Sequence, residues 1–543
     1  MRRWTLTLGI ALLTAIATPA GAAERPPQTP HVLPASGAKA AAAEPSTWLV
    51  GARPGANTAA IARRHGATLL SPRGGFEVAR SQARAFAAEL KRAGVYIYAE
   101  PNQRLRRLQD PAPTPTPAPP YDEYAATDWR AYLIPATLVP PNPATAPLTA
   151  VVDSAVDVVH PDLAGITVVG DPAISDLHGT AVAAVIGGRA NGFGMVGVFP
   201  GAPILSVGSG LRVSDVIKAI STAVKAKAKV INMSLGSPAP SYAMFVELAY
   251  GVSQGALPVA SAGNDFETVL SNGTRNPVEF PAAFPHVLSV AAIGPNGATS
   301  SFSTANGAVD LAAPGESILT AVPVALDDDG AQDGFQRLAG TSFAAPIVSG
   351  VAAWLMAARP NLTGAQVADI LRYSATDVDK AGWDSNTGYG VVNLAGALTR
   401  EDPPVDTTEV NDDIEWIDGT RFSRADTPVF KAGNSRKVYG GYVDAWKDPA
   451  DVYRIEVAKG RKVTVKLSTK SRSDPDLALF GAKAMTIYSK KARLGVSFRG
   501  TGKTESVTVR NRGRKKMIAY IAVYAPGSQA ALLDAPYGLT IRR

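Results

Sequence analysis

Leu148-Thr149-Ala150-Val151-Val152-Asp153-Ser154-Ala155 is a run of β-branched and small apolar residues that ends on a carboxylate. A run that is apolar at consecutive positions, rather than alternate ones, predicts a strand buried on both faces. Four more runs of this kind follow at 204–207, 230–233, 257–260 and 287–291. Between them lie stretches with helical spacing at 181–186, 214–225, 242–254 and 343–358. This alternation predicts an α/β fold over 121–400, three layers deep, with a mainly parallel sheet and helices on both faces. Reactive groups in such sheets gather at the carboxyl ends of strands, which is where Asp153 falls. An aspartate there can equally cap a helix or a turn, so its role depends on its company.

Three further constellations supply that company. In Asp176-Leu177-His178-Gly179-Thr180-Ala181-Val182-Ala183-Ala184 a histidine opens an apolar helix. Of the five histidines, His31 and His65 precede the block, and His160 and His286 neighbour prolines in stretches that read as solvated loop. His178 is left as the candidate general base. In Gly340-Thr341-Ser342-Phe343-Ala344-Ala345-Pro346 the proline is tolerated only in a first turn. Ser342 therefore sits at a helix N-terminus, where free N–H groups can hold a developing oxyanion or where a serine simply caps the helix. Val259-Ala260-Ser261-Ala262-Gly263-Asn264-Asp265 ends a strand on a side-chain amide, suited to the same oxyanion or to a turn.

Taken together and in this order, the four stretches resemble the subtilisin-like serine proteases, the subtilases. The family's motifs are Asp-(Ser/Thr)-Gly, His-Gly-Thr-x-Val-Ala, a Gly-Asn turn and Gly-Thr-Ser-x-Ala-x-Pro. The resemblance runs from about residue 148 to 398 and includes Asn232-Met233-Ser234-Leu235-Gly236, Phe280-Pro281-Ala282-Ala283-Phe284-Pro285, Ser301-Phe302-Ser303, Ala313-Pro314-Gly315 and Gly388-Tyr389-Gly390-Val391-Val392-Asn393. It implies that Ser342 attacks the scissile carbonyl, His178 moves the proton, Asp153 orients the imidazole, and Asn264 with the Ser342 N–H holds the oxyanion. It also implies that Ser234-Leu235-Gly236 pairs with the substrate backbone as an added strand, and that catalysis needs no cofactor. Two residues depart from the pattern: Ala155 replaces a glycine after Asp-Ser, and Ala184 replaces a small glycine after the histidine motif. Ala155 is strained if that turn needs a positive φ.

Two weaker readings concern single residues. Glu279 lies just before Phe280-Pro281, where the family's primary pocket has its floor, so a carboxylate there favours Lys or Arg at P1, although a solvated loop glutamate explains it as well. Asp327-Asp328-Asp329-Gly330 with Asp333 offers hard oxygen ligands for a structural calcium. It lacks the glutamate of an EF-hand, so it reads first as a charged hairpin, and no metal ligands are named.

Outside the block, Met1-Arg2-Arg3, an apolar run to about residue 17 and Pro19-Ala20-Gly21-Ala22-Ala23 form the order of a secretory signal, 1–23. The run is too short to span a bilayer, so export to the extracellular space is expected, with no transmembrane anchor. Residues 24–46 read as disordered. Residues 47–108 carry an α+β pattern and resemble the subtilase propeptide, an intramolecular inhibitor and folding aid whose tail, matched here by the strand Val95–Tyr98 ending in Glu100-Pro101-Asn102, lies in the cleft. A proline-rich linker, 109–120, follows and favours a removable unit. After a second linker, 401–407, residues 408–543 alternate apolar and polar positions, predicting an antiparallel β-sandwich. That tail resembles the bacterial pre-peptidase C-terminal domain, which is jelly-roll-like.

The 543 residues carry a net charge of +8, but unevenly. Residues 1–120 carry +9, 121–400 carry −10, 401–406 carry −3 and 407–543 carry +12. The total is therefore no sign of nucleic-acid binding. The basic tail, with Lys490-Lys491 and Arg512-Gly513-Arg514-Lys515-Lys516, suits anionic cell-wall polymer or plain solubility. The absence of cysteine excludes disulfides and thiol nucleophiles. An α/β-hydrolase esterase would need Gly-x-Ser-x-Gly and the order Ser, Asp, His, and neither is present. A secreted binding protein on an impaired protease scaffold survives only if Ala155 disables the site. The expectation is a secreted serine endopeptidase made as a precursor and acting on protein or peptide through an acyl-enzyme.

Overall fold

A computed structural model of the chain describes residues 45–109 and 129–543, apart from 136, 171–172, 267, 269–274, 404–408, 421–424, 470–473, 489–491, 501 and 526–534. The signal-like segment, nearly all of 24–46 and the linker beyond Gln109 lie outside the described residues.

The fully apolar runs form the middle of a seven-stranded parallel sheet. Its order is Leu311–Pro314, Leu288–Ile293, Leu257–Ser261, Val230–Met233, Thr149–Asp153, Ile204–Gly208 and Thr167–Gly170. Successive residues of one strand serve opposite cores. Val151 packs with the helices His178–Gly187 and Thr341–Ala358, while Ala150 and Val152 pack with Val213–Lys225 and Tyr242–Ser253. The two outer strands escaped the sequence reading. Thr167–Gly170 is short and half exposed, and Leu311–Pro314 ends on a proline.

Thr341–Ala358 is long and apolar enough to cross a membrane, yet 89% of that stretch is buried within the protein. It is the central helix of the core. Pro346 does not lie in the first turn, as expected, but further inside the helix. A proline there cannot donate to the carbonyl four residues back, that of Ser342. The Ser234 hydroxyl donates to that carbonyl instead, at 2.8 Å.

The N-terminal unit is a four-stranded antiparallel sheet in the order Thr68–Ser71, Gly75–Ala79, Thr47–Ala52, Tyr96–Pro101, covered by Ala56–Arg64 and Arg80–Arg92. It has its own core around Val50, Ile61, Phe76, Phe86 and Leu90. It seats on the helices Val213–Lys225 and Tyr242–Ser253. Arg73 donates to both oxygens of buried Glu247, at 2.8 and 2.6 Å, and to Ser221 Oγ at 3.1 Å. Glu100 accepts from Ser241 Oγ at 2.6 Å, Tyr242 N at 2.9 Å and Ala243 N at 3.2 Å, satisfying N–H groups that a helix start leaves open.

The C-terminal unit is a pair of four-stranded antiparallel sheets. Its inner core includes Tyr453, Ile455, Val457, Val465, Leu467 and Leu539, the alternating positions expected. The sheet containing Ala450–Val457 and Met517–Tyr524 is buried on its second face as well, where Ala450, Val452, Phe480 and Ala522 continue the core of the α/β block. The sandwich is therefore docked rather than merely tethered. Lys447, 4% exposed, donates to the carbonyls of Ala282 and Val287 at 2.9 and 2.7 Å and pairs with Asp310 at 2.9 Å.

This docking corrects one expectation about histidines. His286 is not solvated; its Nε2 meets Asp412 at 2.9 Å across the junction. His160 is buried too, its Nδ1 accepting from Asp162 N and its Nε2 lying 3.1 Å from the Gly334 carbonyl.

Candidate active site

Asp153 ends the central strand and is 3% exposed. Both of its oxygens lie 2.9 Å from His178 Nδ1. Oδ1 also accepts from Ser154 N at 2.7 Å. Burial pushes this carboxyl up, but His178, Arg107 and the Ser154 N–H outweigh it and hold Asp153 below the ordinary carboxylate range. The partner histidine is placed by its flanks. Asp176 Oδ1 accepts from His178 N at 2.8 Å, and Ser154 Oγ accepts from Gly179 N at 2.8 Å. A Cβ on Gly179 would stand 2.1 Å from the Ser154 carbonyl oxygen, so only glycine allows the helix to start so close to the strand end.

Ala155 is buried and does not adopt a positive φ. The substitution for glycine therefore introduces no left-handed strain. Ala184 lies wholly within the core.

The serine and the amide converge on one oxygen, and it belongs to this chain. The carbonyl of Leu108 accepts from Asn264 Nδ2 at 2.8 Å and from Ser342 N at 3.1 Å. The Asn264 amide is held in that sense by Thr341, whose N and Oγ1 donate to Asn264 Oδ1 at 3.0 and 2.7 Å. Ser342 Oγ donates to the Ser234 carbonyl and accepts from Leu108 N, both at 3.1 Å. His178 Nε2 is buried with no hydrogen-bond partner among the described residues. Gly340, at φ 137°, lets the chain pass: a Cβ there would lie 2.4 Å from the Leu108 oxygen and 2.9 Å from Gln109 Cα.

Upstream, Arg106–Arg107 pairs antiparallel with Leu235–Gly236, as a substrate strand would. Leu105 N donates to the Leu211 carbonyl at 2.7 Å. Both Leu105 and Leu108 are buried, at 2% and 1% exposure. Glu279 does stand beside the Leu108 side chain. A Cβ on Gly236 would be 2.7 Å from Glu279 Oε2 and 3.0 Å from Leu108 Cδ1. Its carboxylate, however, accepts from Arg106 Nη2 at 2.8 Å, two residues before Leu108.

The acidic hairpin between Ile318–Ala321 and Phe335–Leu338 does not make a cation cage. Asp327, Asp329 and Asp333 each accept from backbone N–H groups of their own turn, and Asp328 accepts from Gln336.

Sequence reading did not single out Thr341, Asp176 or Asp265. All three lay inside the quoted stretches but read there only as spacing. The Arg106-Arg107-Leu108 run had no signal until the cleft was seen around it.

A parallel sheet with an Asp–His pair at a strand end and a serine at the start of the central helix defines a subtilisin-like fold. Residues 145–390 match the subtilase family. Subtilisin of Bacillus pumilus is 34% identical over 261 residues, covering 46% of this chain and 89% of that protein. Fervidolysin of Fervidobacterium pennivorans is 35% identical over 291 residues, covering 46% of this chain and 40% of its own length. Subtilisin E of Bacillus subtilis is 34% identical over 261 residues, with 64% of its length covered. The chain thus matches less than two thirds of the last two. The crystal structure of fervidolysin superposes with a TM-score of 0.57 at 21% identity, over 89% of this chain and 88% of that one. The chain belongs to the subtilase family of serine proteases.

Proposed function

We propose that the chain is the precursor of a secreted serine endopeptidase, poised to cut its own Leu108–Gln109 bond. The observation that carries this reading is the Leu108 carbonyl, seated between Asn264 Nδ2 and Ser342 N. These are the two donors that would hold the oxyanion of the reaction.

The steps follow from the geometry. Ser342 Oγ turns from the Ser234 carbonyl and attacks the Leu108 carbonyl carbon. Its proton passes to His178 Nε2, and Asp153 stabilises the imidazolium through Nδ1. The tetrahedral oxyanion is held by Asn264 and the Ser342 N–H, a contribution of roughly 3–4 kcal/mol per donor. Collapse breaks the bond to the Gln109 nitrogen, which takes the proton from His178. Water, deprotonated by His178, then attacks the acyl carbon and frees Ser342 with Leu108 as a new carboxylate. Residues 45–108 remain as an inhibitor through Arg73, Glu100 and the strand on Leu235–Gly236, until they are degraded or lost. Catalysis requires no cofactor.

Export rests on the signal pattern at 1–23. The exposed cluster Arg512-Gly513-Arg514-Lys515-Lys516 favours a separate cell-wall contact for the sandwich, which a salt-sensitive pull-down on wall material tests. A dead scaffold gains no support from Ala155, whose backbone is unstrained.

Expressed Ser342→Ala protein is expected to persist as the uncut precursor. Wild type is expected to yield a product whose first residue is Gln109, and a fluorophosphonate should label it but not the variant. Equal labelling of both, or cleavage of the Ser342→Ala chain at the same bond, sinks the proposal.

A further inference from the structure

The segment in the cleft brings two arginines against four carboxylates. Arg107 Nη1 donates to Asp176 Oδ2 at 2.6 Å, and its Nε approaches Asp153 Oδ1 at 3.4 Å. Arg106 Nη2 donates to Glu279 Oε1 at 2.8 Å and pairs with Asp265 as well. The arginine side chains are only partly exposed, at 22% for Arg107 and 44% for Arg106, and the Glu279 side chain is fully buried. Glu279 Oε2 has no partner among the described residues. A buried carboxylate with an open oxygen is costly unless a cation faces it, so Glu279 rewards a cation at the position of Arg106. Of the residues on either side, Leu105 is buried within an apolar cluster, and Leu108 is buried at 1% exposure.

We infer that the mature enzyme selects peptides with arginine at both the second and third residues before the cut bond, between apolar residues at the first and fourth. Asp176 reads the arginine nearer the bond, and Glu279 with Asp265 reads the farther one. Glu279 thereby acts on P3, although it stands at the wall of the primary pocket. Arg107 also lies against the Asp153–His178 pair, so P2 is read next to the reacting groups. The inference rests on the proposed endopeptidase reading of this cleft.

Burial lifts the Glu279 carboxyl to about 8, opposed by Arg106 and aided by Asp265. In the precursor the Arg106–Glu279 pair therefore gains its full charge as pH rises through that value, because the carboxylate is charged above it.

The test uses the matured full chain and internally quenched peptides containing Leu-Arg-Arg-Leu, Leu-Gln-Arg-Leu or Leu-Arg-Gln-Leu. Charge-assisted hydrogen bonds of this kind set a loss in kcat/KM of roughly 10–100-fold for each glutamine. Asp176→Asn should weaken the discrimination at P2 alone, and Glu279→Gln that at P3 alone. If a variant does not fold, Arg106→Gln and Arg107→Gln in the precursor carry the same test, read as slower self-cleavage. Equal kcat/KM on all three peptides, or unchanged self-cleavage in both arginine variants, overturns the inference while leaving the endopeptidase intact. Absence of any hydrolysis together with absence of fluorophosphonate labelling overturns both.

Discussion

Thr341 shows how much chemistry a single unremarked hydroxyl can hold. It fixes Asn264 by two hydrogen bonds to Oδ1, leaving Nδ2 aimed at the carbonyl oxygen. Thr341→Val removes one of these and is expected to lower kcat by roughly tenfold with little change in KM, since the lost orientation matters most as charge develops. Asn264→Ala should cost about 10²–10³ in kcat. Equal losses in KM and kcat for Thr341→Val would mean that the residue binds substrate rather than positioning the amide. Asp153, His178, Ser342 and Asn264 were legible in the sequence because motif order and strand or helix ends coincide there. Asp176 and Asp265 were not, because a carboxylate next to a motif looks the same whether it faces solvent or an arginine from 69 or 159 residues away. Glu279 was read as the floor of a pocket for a P1 cation, and the arginine it pairs with, Arg106, became visible only with the Arg106–Arg107 strand in place.

At the scale of elements, the helix Tyr242–Ser253 is held at its start by another unit's carboxylate. Glu100 completes its first turn, and Arg73 pins its middle through Glu247. Removing Arg73 leaves Glu247 buried without its guanidinium, a loss of roughly 3–5 kcal/mol for a broken buried pair. Arg73→Ala is therefore expected to release the cleaved N-terminal unit at least a hundredfold more readily, measured as the onset of peptidase activity after self-cleavage. Unchanged onset would place the inhibitory affinity in the cleft strand alone. The five inner strands and four of the helices were readable from continuous apolar runs, with bounds shifted by only a few residues. The hairpin Thr68–Ser71 and Gly75–Ala79 was not, because strands of four and five residues leave no usable period. Pro346 misled for a physical reason. Its cost is met by a side chain, Ser234, over 100 residues distant in sequence.

For the whole molecule, the charge division of the sequence does not translate into two units held apart. Lys447 and His286 lock the basic sandwich onto the acidic block. Lys447→Met should leave the Ala282 and Val287 carbonyls without their donor and Asp310 with only its longer contact to Arg372, at 3.6 Å, and loosen the docking, seen as faster proteolysis around 409–420. Burial alone would lower the His286 imidazole, but Asp412 and then Glu409 outweigh it, against Arg372, and raise it from 6.5 to about 9. Its stabilisation is therefore complete below about 6.5 and is lost as pH rises through about 9. Hydrogen-exchange protection at 409–420, taken relative to the intrinsic rate at each pH, should fall over that range in wild type and stay flat in His286→Gln. A wild-type profile without pH dependence would remove His286 from the lock.

The N-terminal unit touches more than the peptidase. Tyr98 stacks edge-on against Tyr242, whose hydroxyl donates to Glu415, and a cavity of about 220 Å³ lies between Tyr96, Ile97, Tyr98, Phe245, Trp416 and Tyr488. Departure of that unit uncovers an aromatic patch that straddles catalytic block and sandwich together. Under the proposed maturation the enzyme's stickiness would change along with its activity: the precursor would keep its seam covered, and the mature protease would present that seam to whatever surface it meets first.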